Sequence, residues 1–233
     1  MGDIVQVKGL TKKYGRKAAL NNVSFNIGPG KIVGLLGPNG SGKTTFIKIA
    51  AGMLRPTKGQ VLIDGKMVGM DTKSIVSYMP DRDFLYDWMT IKDAVDFYKD
   101  FFKDFNEAKA YELLDFMKLN ARSKVNSLSK GMAERLNLSL VMARQAKLYL
   151  LDEPLASVDP ATRDKIIDTI LGNFNEESTI LLSTHLVRDV ERIFDEVLFI
   201  YDGDIALHEQ VEKLRTERGK SVEDVFKEVF KDA

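Results

Sequence analysis

The sequence predicts an α/β protein built on a mostly parallel sheet, with a helical subdomain inserted into it. Three observations carry that prediction. Short continuous apolar runs alternate with helix-length segments on both sides of the middle of the 233-residue chain. That is the pattern of parallel strands covered by helices. Residues 81–145 instead show apolar side chains at helical spacing and no strand signal. Finally, a glycine-dense turn separates the first fully apolar run from the helix that follows it.

Each element can be justified in order. Ile4 to Leu10 and Val23 to Ile27 alternate apolar and polar residues and read as half-exposed strands. Lys31 to Gly37 is continuously apolar after its lysine, as a buried strand requires. Lys43 to Met53 reads as a helix stopped near Gly52 and Pro56. Gln60 to Ile63 reads as a strand closed by an Asp64-Gly65 turn, and Ser74 to Met79 as another short strand. Thr90 can cap a helix over Ile91 to Lys103, whose Val95, Phe97, Tyr98, Phe101 and Phe102 are spaced as an apolar stripe. Glu107 to Leu119 repeats the pattern, and Met132 to Ala146 is a third helix. Strands are then expected at Leu148 to Leu151, Thr179 to Leu182 and Val197 to Tyr201. Helices are expected at Pro160 to Leu171 and Leu186 to Phe194.

Composition removes several kinds of chemistry. The chain has no cysteine and two histidines, so disulfides, thiolate zinc, iron–sulfur clusters and cysteine nucleophiles are excluded. Thirty-four basic residues balance 34 acidic ones, which leaves no global basic footprint for nucleic acid or anionic lipid. No apolar run reaches the length of a membrane helix, and the first residues lack the build of a signal peptide. The expectation is a cytoplasmic protein with no direct membrane insertion.

The turn after the buried run is Gly37-Pro38-Asn39-Gly40-Ser41-Gly42-Lys43-Thr44, a glycine, four residues, then Gly-Lys-Thr. Such a loop wraps its N–H groups around phosphates. Lys43 reaches the β- and γ-phosphates, Thr44 offers a hydroxyl to Mg²⁺, and the helix N-terminus adds partial positive charge. Downstream, the apolar strand Leu148 to Leu151 delivers Asp152 and Glu153 at its end. Ligands of such sheets sit at the carboxyl ends of strands. Asp152 is placed to hold Mg²⁺ and Glu153 to polarise an attacking water. His185 follows another apolar strand. A lone histidine there is usually structural, but its setting makes it a candidate contact for the γ-phosphate and the water.

Together these residues resemble the ATP-binding cassette (ABC) ATPases, the nucleotide-binding domains of ABC transporters. The resemblance runs from Tyr14 to the closing Ser221 to Phe226. Tyr14 matches the aromatic residue that stacks on adenine. Leu128-Ser129-Lys130-Gly131-Met132 matches the signature, Ser157-Val158-Asp159 the D-loop, and His185 the switch histidine. The resemblance implies a P-loop NTPase core over residues 1–80 and 146–233, with an antiparallel β subdomain. Residues 81–145 become a helical subdomain carrying the signature. It implies ATP and Mg²⁺ as cofactors, with Gly37 to Thr45, Ser129, Gly131 and Asp159 around the nucleotide. It also implies a head-to-tail second cassette whose signature closes over the phosphate loop, and a transmembrane permease subunit. The chain would then sit peripherally on the cytoplasmic face of the cell membrane.

Two positions depart from the family pattern. Asp81 stands where a glutamine is usual, and either ligates Mg²⁺ or caps the following turn while a water fills the gap. Lys130 replaces a glycine and Met132 a glutamine; Lys130 either adds charge near the phosphates or points to solvent. Phe84 and Trp88 read as core or boundary residues, with a partner contact as the second reading. Intact Lys43, Asp152, Glu153 and His185 weigh against a regulatory cassette. The short span between Lys43 and Asp152 leaves no room for the long insert of DNA-repair types, and translation types usually carry two cassettes in one chain. The expected function is therefore the ATPase of a transporter, resembling bacterial drug and peptide exporters.

Overall fold

The structure, a computed structural model, describes residues 2–82, 84–156 and 158–231, and for Ala161 the backbone only. The chain opens on a long hairpin, β1 (Val5–Tyr14) and β2 (Lys17–Ile27), then runs into β3 (Ile32–Leu36) and α1 (Lys43–Ala50). Next come β4 (Lys58–Ile63), β5 (Lys66–Met67), the short α2 (Met70–Lys73) and β6 (Val76–Met79). Three helices follow: α3 (Ile91–Phe101), α4 (Glu107–Phe116) and α5 (Lys130–Met142). The chain then alternates β7 (Leu148–Asp152), α6 (Pro160–Asn173), β8 (Thr179–Thr184), α7 (Val187–Val190) and β9 (Glu196–Tyr201). It closes with β10 (Asp204–Gln210), α8 (Val211–Arg218) and α9 (Val222–Val229).

The strands form two sheets. The larger has the order β10-β9-β3-β8-β7-β6 and is parallel except for β10, which pairs antiparallel with β9. The smaller is antiparallel, in the order β2-β1-β4-β5. The expected fold class is therefore present.

Strand alternation divides the apolar residues of the central strands between two cores. Val33, Leu35, Leu150, Leu181 and Leu198 face α1 and the smaller sheet, where Phe46, Ile47, Leu10 and Phe25 meet them. Ile32, Leu36, Leu151, Leu182 and Phe199 face the other way, toward Leu138 of α5 and Ile166 of α6. Because β3, β7 and β8 are buried on both faces, they read as unbroken apolar runs. Each such Leu or Ile contributes about 1.5–3 kcal/mol through burial.

One buried cation ties the helical segment to the sheet. Arg144, 4 % exposed, donates to both Asp104 carboxylate oxygens at 3.0–3.1 Å and to the Val76 carbonyl at 2.8 Å. Its guanidinium also lies 4.0 Å from the Phe102 ring centre. Asp104 belongs to the α3–α4 connection and Val76 begins β6, the strand that leads to Asp81.

Several boundaries differ from expectation. The helix expected over Leu186 to Phe194 is only α7 plus a 3₁₀ turn at Glu191–Ile193. The cause is pairing at Asp195, whose N–H donates to the Ile32 carbonyl and whose carboxylate accepts from Ile32 N–H at 2.8 Å. The chain must extend there to start β9. The third central helix starts at Lys130 rather than Met132, because Ser129 caps it by accepting from Met132 N–H. β10, α8 and α9 lie beyond the elements expected from the sequence.

Candidate active site

The carboxyl ends of β3, β7 and β8 meet beside the N-terminus of α1. A cleft of about 410 Å³ opens there, lined by Asn39 to Thr45, Ala19, Asp81, Lys130, Glu153, Ala156 and His185. The loop before α1 is possible only with glycine at two close approaches. Gly42 sits at φ 116°, and a Cβ on it would lie 2.4 Å from the Ala19 carbonyl oxygen. A Cβ on Gly37 would lie 2.2 Å from the Ile200 carbonyl oxygen. Both contacts are far inside van der Waals distance.

Lys43 is 5 % exposed and donates to the Gly37 carbonyl at 2.7 Å and the Pro38 carbonyl at 3.2 Å. Its ammonium lies 3.5 Å from Glu153 Oε1. Burial pushes the Lys43 pKa down, while Glu153 and then Asp152 oppose that shift. Glu153 Oε2 lies 3.0 Å from His185 Nδ1, so the candidate base sits between Lys43 and His185. Glu153 has a left-handed backbone, φ 52°, which is strained for a residue with a side chain.

Asp152 is fully buried. Its Oδ1 accepts from Thr44 Oγ1 at 3.0 Å and from Ser183 Oγ at 2.7 Å. Burial drives its pKa up against those two donors. Its Oδ2 is buried with no hydrogen-bond partner, as are Ser41 Oγ and the Tyr78 hydroxyl. Burial raises the Tyr78 pKa, and the charges of Asp152 and Asp81 add to it. Buried polar atoms are almost always partnered. The unpartnered oxygens of Ser41 and Asp152 lie in the phosphate loop and at the end of β7, where a polar ligand could partner them.

The remaining expected residues are spread more widely. Asp81 lines the cleft and pairs with Lys48 at 3.8 Å. Tyr14 ends β1, 53 % exposed, outside the cleft lining. Ser129 and Gly131 open α5 and are not among the lining residues, although Lys130 between them is. Asp159 caps α6, accepting from Thr162 N–H and Oγ1. Ser157 lies outside the described residues. Trp88 is 68 % exposed and stacks on Tyr86 at 5.9 Å, so it is no core residue. Sequence reading missed Ser183, Tyr78 and Ala19; for Ser183 the one signal was a polar residue ending an apolar strand.

Residues 20–156 match the family described as ABC transporter. The chain belongs to the ABC transporter family. It is 30 % identical over 224 residues to an uncharacterized ABC transporter ATP-binding protein, YxlF, of Bacillus subtilis, covering 94 % of this chain and 75 % of that one. It is 30 % identical to the lantibiotic transport ATP-binding protein SrtF of Streptococcus pyogenes, covering 89 % and 91 %. Among solved structures it resembles an ATP-binding subunit of an ABC transporter, with a TM-score of 0.86, 26 % identity, and 97 % and 99 % coverage. A dimeric ATP-binding cassette in a post-hydrolysis state with ADP and Pi gives a TM-score of 0.78, 25 % identity, and 88 % and 98 % coverage.

This ABC cassette is accordingly an ATP-binding transporter subunit with the ATPase activity of its family. ABC ATP-binding subunits work in general as dimers with transmembrane partners. Among the described residues, no helix of the cassette is long and apolar enough to cross a membrane.

Proposed function

We propose that the cassette hydrolyses ATP at this cleft and powers export through a permease subunit, which holds it on the cytoplasmic face of the membrane. The observation that carries the reading is the row Lys43–Glu153–His185, set beside the orphaned oxygen of Asp152. Glu153 polarises the attacking water, His185 orients it toward the γ-phosphate, and Lys43 neutralises charge on the β- and γ-phosphates. Tyr14 supplies the ring for adenine. A second cassette, packed head to tail, brings Ser129, Gly131 and Asp159 to the nucleotide. Export is supported by the lantibiotic transport relative and by a linearmycin resistance ATP-binding protein of Bacillus subtilis, 29 % identical over 210 residues.

The residues present fit Mg²⁺. Thr44 offers a hydroxyl, while Asp152 Oδ2 and Asp81 offer charged oxygens, the donors this ion prefers. Among the described residues no three carboxylate or imidazole groups form a metal site by themselves. Phosphate oxygens would complete the set, as is usual for Mg²⁺ at nucleotides. The ion would supply charge neutralisation on the phosphates.

Glu153→Gln tests the base. It should bind ATP, hydrolyse it about 100-fold or more slowly, and accumulate as an ATP-bound dimer in size exclusion. Near-normal turnover would remove Glu153 from the role. Asp81→Gln tests the third oxygen; an unchanged Mg²⁺ dependence of hydrolysis would sink it as a ligand.

A further inference from the structure

Ser183 stands directly opposite Asp152 in the β7–β8 register and is fully buried. It ends an apolar run, Ile180-Leu181-Leu182, in the middle of the sheet. Its hydroxyl has one hydrogen, and that hydrogen goes to Asp152 Oδ1 at 2.7 Å. A lone pair of the same oxygen accepts from Glu153 N–H at 3.0 Å. The Ser183 carbonyl also faces that N–H, at 3.1 Å. One residue therefore grips two consecutive acids, Asp152 at its carboxylate and Glu153 at its backbone N–H.

The consequences differ for the two acids. Thr44 and Ser183 both donate to Oδ1 of Asp152, which fixes the carboxylate plane and leaves Oδ2 as the oxygen without a partner. At Glu153 the grip holds an N–H whose residue sits in the left-handed region. That backbone direction places Oε2 against His185 and Oε1 near Lys43.

We propose that Ser183 is a positioning residue for hydrolysis, holding Asp152 so that its free oxygen stays available to the Mg²⁺ it would hold, and holding Glu153 in its working backbone conformation. The inference rests on the roles given to Asp152 and Glu153 above. A hydrocarbon at 183 would leave Oδ1 with Thr44 alone and Glu153 N–H with the carbonyl alone.

The test uses the full chain as Ser183→Ala and Ser183→Cys, with Glu153→Gln alongside. Cysteine fills the site with a somewhat larger sulfur but is a weak donor. Both Ser183 variants should lose about 10–100-fold in kcat, the range for residues that support metal ligands, with the KM for ATP little changed. Their affinity for Mn²⁺ in the presence of ADP, read by electron paramagnetic resonance, should fall as well. Should the alanine variant not fold, the cysteine variant carries the test. Wild-type kcat and Mn²⁺ affinity in the alanine variant would overturn the proposal, whatever its Tm. So would a loss in alanine that cysteine fully restores, since packing alone would then explain it. If Glu153→Gln keeps its activity, the fault lies in the base; if it collapses while the Ser183 variants do not, only Ser183 is misassigned.

Discussion

Two buried carboxylates in the same parallel sheet have opposite fates. Glu196 begins β9 at one end of the sheet, and Asp152 finishes β7 at the other. Glu196 is closed on itself: Lys31 Nζ lies 2.6 Å from Oε2, and His208 Nε2 contacts Oε1. Although burial alone would raise the Glu196 pKa, the bonds from His208 and Lys31 outweigh it and hold the pKa below the usual carboxylate value. Asp152 has two hydroxyl donors on one oxygen and none on the other, and burial wins. The first acid stabilises the fold. The second is disfavoured in its charged form by burial, and under the proposed function a cation would take up its open oxygen. Proteins commonly carry such a cost where they bind ligands.

The largest effect should come from opening that contrast at its costly end. Asp152→Asn should reduce hydrolysis by about 100-fold or more. Without nucleotide it should nonetheless be the more stable chain, by about 1 kcal/mol or some 2–4 °C in Tm. A lower Tm in differential scanning calorimetry would mean that Asp152 is already compensated in the empty cleft.

Glu196→Gln should do the reverse. It strips Lys31 and His208 of their acceptor charge and should cost about 1–3 kcal/mol in urea unfolding, with ATP turnover of the folded fraction unchanged. Altered kcat would break the separation between the two ends of the sheet.

The pH dependence sharpens the comparison, because the two signs differ. A depressed carboxylate stabilises above its unfolded value, 4.5 for Glu196, and that stability is lost as pH falls through the folded pKa. The destabilisation of Glu196→Gln should therefore fade below that pH. A raised carboxylate is penalised as pH climbs from its unfolded value, 3.8 for Asp152, through the folded pKa. The gain of Asp152→Asn should vanish in acid and grow toward neutrality. Parallel curves for the two variants would end the contrast.

The smallest effect belongs to Lys48→Ala. Its pair with Asp81 is long and partly exposed, at 37 % and 31 %, so stability should change by no more than about 0.5 kcal/mol. A larger loss by urea unfolding would place the pair among the structural contacts.

How much of this was legible in the sequence follows from physical range. The phosphate loop is local: its glycines, Lys43 and Thr44 are neighbours in the chain, and β3 and α1 frame them. The buried strands were legible because burial on both faces leaves continuous apolar runs. Ser183 was not, since its partners Asp152 and Glu153 lie 30 residues or so away and meet it only through strand register. Nor was the break after Val190, because Leu186, Val187, Val190, Ile193 and Phe194 keep helical spacing while the pairing of Asp195 with Ile32 pulls the chain straight. Tyr14 took its sequence meaning from resemblance and Trp88 from its apolar bulk, read as core or boundary, and the fold leaves both on the surface.

The left-handed backbone of Glu153 has a consequence for mutational tolerance. Position 153 is screened twice, once by chemistry and once by conformation. Gln keeps the shape and loses the base; Gly relieves the backbone and loses both contacts; Val and Ile, branched at Cβ, resist the geometry itself. In a saturation library scored for both cellular abundance and ATP turnover, these should separate into three groups. Glycine should outlast wild type in abundance while sharing glutamine's inactivity, and the β-branched residues should fail on both scores.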